Sequence, residues 1–340
     1  MRIKVFLLSV SHAAVDLACA ALFFGLLQGE GVWLNMVLYN AFAFLMQLPM
    51  GILADRLDRN LPFAALGCGL VAIAFMLVSC PWLAAVIAGI GNGAFHVGGG
   101  IEVLNSSDGK AGPLGVFVSP GAIGLYLGAF YARFLAEHRF IMPAAVLFLG
   151  VVILLYSRRN EEKLTHNAEF SAELPQAGLL PLAALFAVVV LRSFIGTSDA
   201  FSPGDALSAL PPVLAGLIPV LLLALGKAAG GFVSDAIGPR LTGIISLSLL
   251  AAALFFPVSP YLALCALFLF NMTMPITLHA SAKLLSRARG TAFGLLTAAL
   301  FIGCVPAFLG FRMSAPAYVN GLFALASLGL LLLGLKKVRA

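Results

Sequence analysis

Charge is what this chain has least of. Lys and Arg together number 20 and Asp and Glu 14 in 340 residues, while 61% of the residues are hydrophobic. So little charge cannot cover a water-facing surface, which excludes a soluble globular protein. Cysteine is sparse too. Cys19, Cys68, Cys80, Cys265 and Cys304 lie in or beside apolar runs without metal-ligand spacing, so they read as packing residues and no metal centre is expected. The net charge of +6 is scattered over short loops, without a basic stripe or interleaved aromatics, which argues against nucleic-acid binding. Catalytic arrangements are also missing. Ser11, His12 and Asp16 have the residue types of a triad, but neighbours on one helix cannot converge from separate directions. The glycine runs at Gly91 and Gly98 follow no strand, so a phosphate loop fails, and no cofactor is called for.

What is present is a succession of apolar segments of roughly 20 residues, the length at which a helix crosses a bilayer. The pattern predicts an all-α polytopic membrane protein with twelve transmembrane helices, from Val5–Leu27 to Tyr318–Leu335. Met1 to Gln28 carries Asp16 in its apolar run and lacks a small-residue cleavage site, so it reads as a retained first helix. Lys and Arg collect on the cytoplasmic side of short loops. One side holds Arg2, Lys4, Arg56, Arg59, Lys110, Arg158, Arg159, Lys163, Arg240, Arg287, Arg289, Lys336, Lys337 and Arg339; the other holds only Arg133, Arg139 and Arg312. Both termini are therefore expected in the cytoplasm and the chain in the cell's inner (plasma) membrane. The longest polar stretch, Ser157 to Gly178, falls near mid-chain and predicts a cytoplasmic linker, 157–178, between six-helix halves at 1–156 and 179–340.

A midpoint linker invites a search for internal repetition. "GILAD" at Gly51–Asp55 is echoed by "GFVSD" at Gly231–Asp235, and "AGPLGVFVSPGAIG" from Ala111 by "RGTAFGLLTAALFIG" from Arg289, at nearly the same offset. Parallel repeats of six helices describe the major facilitator fold, with its substrate site at the midplane between pseudo-symmetric halves. "GILADRLDRN" resembles that superfamily's loop 2–3 signature, Gly-x-x-x-Asp-Arg-x-Gly-Arg-Arg, and "GGFVSDAIGPR" resembles its second copy. The resemblance implies a conformational latch of Gly51, Asp55, Arg56, Arg59, Gly231, Asp235 and Arg240. In it the glycines permit close helix approach and the aspartates sit near the N-termini of helices 11 and 5. The arginines also serve as topology anchors. Asp58 stands where the signature has Gly, Asn60 where it has Arg, and Ala236 where the second copy has Arg, which implies a weaker latch. "SHAAVDLACAALF", "YNAFAFLMQLPMGILAD", "GIGNGAFHVGGG" and "LRSFIG" resemble stretches of the fosmidomycin-resistance branch.

An ionisable side chain at membrane depth costs about 2.5 to 3.5 kcal/mol on insertion scales, so its presence marks a pathway, a pair or a relay. Counting about 1.5 Å per residue puts Asp16, His96 and Arg192 near mid-depth, with His12 one turn from Asp16. These four are the candidates for proton coupling or substrate contact; a static pair of Asp16 with Arg192 is the alternative. Asn40, Gln47, Asn92 and Asn271 are cavity candidates or interhelical glue. "GVFVSPGAIGLYLG" partly resembles the helix 5 signature of antiporters, with a bend at Pro120 and Gly121. The expected function is proton-coupled export of a small organic solute by alternating access, with protons, solute and lipid bilayer as partners and a monomer as the working unit. A uniporter or uptake facilitator is the runner-up, ahead of a non-transporting receptor or a membrane-embedded lipid enzyme.

Overall fold

A computed structural model of the protein describes residues 2–161, 166–171, 178–201, 204–256, 259–311, 314–336 and 338. The predicted linker residues 162–165 and 172–177, and Lys163, Arg312, Lys337 and Arg339, lie outside the described residues. Helices account for the regular structure of the described residues: α1 (Arg2–Leu26), α2 (Val32–Leu57), α3 (Asn60–Ala74), α4 (Pro81–Asn105), α5 (Gly112–Phe134), α6 (Ile141–Arg159), α7 (Leu179–Gly196), α8 (Pro212–Ile237), α9 (Pro239–Phe255), α10 (Pro260–Leu284), α11 (Arg289–Phe308) and α12 (Ala317–Gly334). Ten are long and apolar enough to cross a membrane, and α3 and α9 are shorter apolar helices. The fold is the expected all-α bundle of apolar helices.

Local chemistry explains where several elements start and stop. α3 ends at Ala74 in successive tight turns, and Pro81 opens the next helix, with Cys80 before it in non-helical backbone. α6 runs on to Arg159, so helix extends into the first residues of the expected linker. α2 widens to π-helical winding over Ala41–Leu45. α5 breaks at Ser119, where Pro120 has no N–H to offer the Val116 carbonyl; the Ser9 hydroxyl stands 3.4 Å from that oxygen and donates to it.

Packing runs mainly within the first six and within the last six helices. In the first set α1 lies against α5, α3 against α4 and α6, and α2 against α4; in the second α7 and α9 lie against α12, α7 against α11, and α8 against α10. The main contacts between the sets are α2 with α11 and α5 with α8. Close contacts join the start of α1 to the end of α4 (Lys4 with Glu102), the end of α2 to the start of α11 (Asp55 with Gly290), the end of α8 to the start of α5 (Asp235 with Gly112), and the start of α9 to the end of α12 (Arg240 with the Leu335 carbonyl). This face, where the first helix begins and the last one ends, is the terminal face.

Candidate functional site

Midway along α1, α4 and α5 a polar cluster is buried in apolar packing. His12 and Asp16 occupy one face of α1, with His12 Nε2 3.2 Å from Asp16 Oδ2. From α4, His96 brings its Nε2 to 2.8 Å from His12 Nε2 and 3.8 Å from Asp16 Oδ1, and Asn92 donates to Asp16 Oδ1 at 2.9 Å. Each imidazole is oriented through its other nitrogen: His12 Nδ1 donates to the Phe117 carbonyl at 2.7 Å and His96 Nδ1 to the Asn92 carbonyl at 2.9 Å. A carbonyl oxygen only accepts, so both Nδ1 atoms carry hydrogens and two neutral rings would present bare lone pairs at both Nε2 atoms. Facing lone pairs at 2.8 Å repel. A proton shared between the rings would relieve this contact, with the adjacent carboxylate to balance its charge.

The three donor groups lie within 4.8 Å of one another, which also brings them within range of a metal ion. However, 2.8 Å is a hydrogen-bond length, whereas two ligands of a tetrahedral site with bonds of about 2.1 Å stand about 3.4 Å apart. The proton is the better fit. The bend in α5 completes the site, because it brings the backbone at Gly121 so close that a β-carbon there would overlap His12 Nε2 and Asp16 Oδ2. Gly121 thus forms a wall of the cluster.

Arg192, on α7, does not join it. Its side chain is 8% exposed, Nη1 has no hydrogen-bond partner, and the guanidinium carbon lies 5.8 Å from the centre of the Phe270 ring. Among the described residues no carboxylate stands within 4 Å of it, and Asp16 takes His12, His96 and Asn92 as partners instead. The cation that reaches across from the second set is Lys227 of α8, which donates to the Val118 carbonyl of α5 at 3.3 Å and is within electrostatic reach of both Asp16 and Arg192. The remaining amides divide. Asn92 belongs to the cluster, whereas Asn40, Gln47 and Asn271 donate to carbonyls one turn back on their own helices, those of Met36, Ala43 and Leu267. Gln47 Oε1 is left buried without a partner.

At the terminal face the two repeated aspartates cap helices. Asp55 Oδ1 accepts from the Gly290 amide at 2.7 Å and Oδ2 from the amide and hydroxyl of Thr291, both at 2.8 Å. Asp235 accepts from the Ala111 and Gly112 amides at 2.7 and 2.8 Å. Both carboxylates thus sit on the positive end of a helix in the opposite set. Gly51 meets the Gly290 carbonyl so closely that a side chain at either residue would separate α2 from α11; Gly231 packs in the same way on Ala111 and Gly112. The arginines have other partners. Arg56 lies over the Phe170 ring, Arg59 faces Glu161 at 3.8 Å in solvent, and Arg240 donates to the Leu335 and Lys336 carbonyls that end α12. The same face also carries a buried Lys4–Glu102 ion pair and a group of contacts made by linker residues 166–171.

A family model described as the Major Facilitator Superfamily matches residues 5–308. The chain belongs to the Major Facilitator Superfamily. Curated protein sequences give no match. Solved structures of similar fold include the human organic anion transporter MFSD10 (TETRAN), with 15% identity, 99% of each chain covered and a TM-score of 0.67. The Escherichia coli fucose:proton symporter FucP matches at 13% identity, 99% of each chain and 0.63. A bacterial homologue of the iron transporter ferroportin, in an outward-facing state, matches at 14% identity, 98% of this chain, 97% of the other and 0.60. At these identities the likeness concerns fold. As a member of the Major Facilitator Superfamily the protein is a multi-pass secondary transporter of small molecules and not an enzyme.

Proposed function

We propose that the protein couples proton movement to export of a small organic solute, by alternating access of two halves, 1–156 and 179–340, joined by the linker 157–178. The observation that carries this reading is the 2.8 Å contact between His12 Nε2 and His96 Nε2 beside Asp16, with Gly121 of α5 packed against it. A buried cluster that must bind one proton to be stable, and loses that need when its groups separate or are wetted, has different proton affinities in different conformations. That difference is what coupling consists of. Arg192, with an unfilled donor at similar depth, and Lys227 face the solute from the second half. Asp55 and Asp235 hold the terminal face shut and release it in turn. Export is favoured by the partial antiporter signature around Pro120 and Gly121, and uptake or uniport is the second reading. The sidedness of the positive residues supports a cytoplasmic terminal face, and the proposal includes the inner membrane and a monomer as the working unit. Stretches of α1, α2, α4 and α7 resemble the fosmidomycin-resistance branch of the superfamily.

Flux in sealed proteoliposomes, with a panel of small solutes and an imposed pH gradient, tests the reading. Asp16→Asn keeps the size of the side chain and most of its hydrogen bonding but cannot balance the shared proton. Gradient-driven accumulation should vanish while downhill exchange continues. Accumulation that persists in this variant overturns the coupling role.

A further inference from the structure

Linker residues 166–171 cross the terminal face and touch both sets of helices. On the first set, the Asn167 side chain is gripped on every side. Its Nδ2 donates to the Ala54 carbonyl at 2.9 Å and to Asn60 Oδ1 at 3.3 Å, and its Oδ1 accepts from Asn60 Nδ2 at 2.9 Å and Asn105 Nδ2 at 2.8 Å. The Asn167 amide and the His166 ring each donate to the Asp58 carboxylate at 2.6 Å, and Phe170 lies under the Arg56 guanidinium. On the second set there is less. Arg287, in the α10–α11 loop, donates to the Glu169 carbonyl at 3.1 Å and to its carboxylate at 3.4 Å, and its own carbonyl accepts from the Ser171 amide at 3.4 Å.

Asp58 and Asn60 are the two positions at which loop 2–3 departs from the signature it resembles, and both are spent on holding this segment. We propose that residues 166–171 are a strap anchored permanently on the first half, which closes on Arg287 when the terminal face is shut and lets go of it when the face opens. The asymmetry of the contacts decides which side yields. Asn167 is held by a convergent amide network in partly buried surroundings, where unmade hydrogen bonds are costly. The Arg287 and Glu169 side chains are 50% and 91% exposed, so water and salt compete for their contact. Arg289 strengthens the junction, donating to Asn105 Oδ1 at 2.9 Å from the start of α11. The same face thus carries two closures, the capping aspartates beneath and the strap above, and the strap supplies stabilisation that the departures from the signature remove from the loop. This proposal rests on the alternating-access reading but not on proton coupling.

Double electron–electron resonance on the full-length protein in lipid, with native cysteines replaced and spin labels introduced in pairs, tests it. Labels at Leu57 and Ser286 read the opening of the face. Labels at Leu57 and Ala168 read the anchored side, and labels at Ala168 and Ser286 the releasing side. The expected result is one narrow distance for Leu57–Ala168 under neutral and acidic conditions, and two distances for Ala168–Ser286 whose proportions follow those of Leu57–Ser286. Asn167→Ala should raise the open fraction seen by Leu57–Ser286 about threefold or more, and Arg287→Ala should raise it with the Leu57–Ala168 distance unchanged. An unchanged Leu57–Ser286 distribution in Asn167→Ala overturns the strap as a lock, and a Leu57–Ala168 distance that varies while Ala168–Ser286 stays short overturns its anchorage. If Leu57–Ser286 gives a single distance even in Asp55→Asn, alternating access at this face fails and the strap falls with it.

Discussion

At the scale of single residues, the cluster is governed by what each polar atom can and cannot do. His12 and His96 each turn Nδ1 to a backbone carbonyl, which leaves their Nε2 atoms facing one another at 2.8 Å. Gly121 is the tightest steric point. Gly121→Ala puts a β-carbon onto His12 Nε2 and Asp16 Oδ2, and overpacking of that kind costs about 1 to 3 kcal/mol. We expect lower thermal stability and a loss of gradient-driven transport, measured on one preparation. Arg192 should behave in the opposite way. An unpaired buried cation is a liability to the fold, so Arg192→Met is expected to raise the melting temperature while reducing solute transport. A fall in the melting temperature would show that Arg192 is held by a structural partner.

Between elements, two helix ends facing two carboxylates make the closures of the terminal face. The equivalence of Asp55 on α11 and Asp235 on α5 follows from the repeat, since each set supplies one acid and one helix start. Replacing a capping carboxylate by its amide removes the charge–dipole attraction and one acceptor oxygen, a loss of about 1 to 2 kcal/mol. Asp55→Asn should therefore shift the closed-to-open ratio of the face roughly 5- to 30-fold towards open. The Leu57–Ser286 spin-label distance checks this, and solute flux should slow because the closed state is under-populated. Asp235→Asn should act alike at the α5–α8 seam.

For the whole molecule, the sidedness of charge is the property with the largest consequence. With the α2–α3, α8–α9 and α10–α11 loops and linker residues 166–171 on one face, the positive residues are expected to give the chain a single orientation. Protease added to inside-out vesicles should cut within 157–178, and protease added to intact cells should not. Cleavage from outside would reverse the assignment of the terminal face to the cytoplasm and with it the direction of transport.

Hydropathy and repetition together determined the all-α bundle of apolar helices and the pairing of "GILAD" with "GFVSD". Each of these depends on position along the chain, and a helix converts sequence distance into depth at a fixed rise. His12 and Asp16 shared a face for the same local reason. Rotation about the helix axis and choice of neighbour are not local properties. Arg192 and His96 were both expected near mid-depth, yet α4 packs beside α1 while α7 belongs to the other set, so Asp16 meets an imidazole and not a guanidinium. Lys227 likewise entered the site because α8 packs on the bend of α5. The strap was the least legible part. A short polar segment has no periodic apolar pattern to betray its position, and Asn167 acquires its place only where Asp58, Asn60 and Asn105, from a loop and two helix ends, are brought together by the packing of α2, α3 and α4. Tertiary structure decided those contacts because each depends on several chain segments meeting at one point.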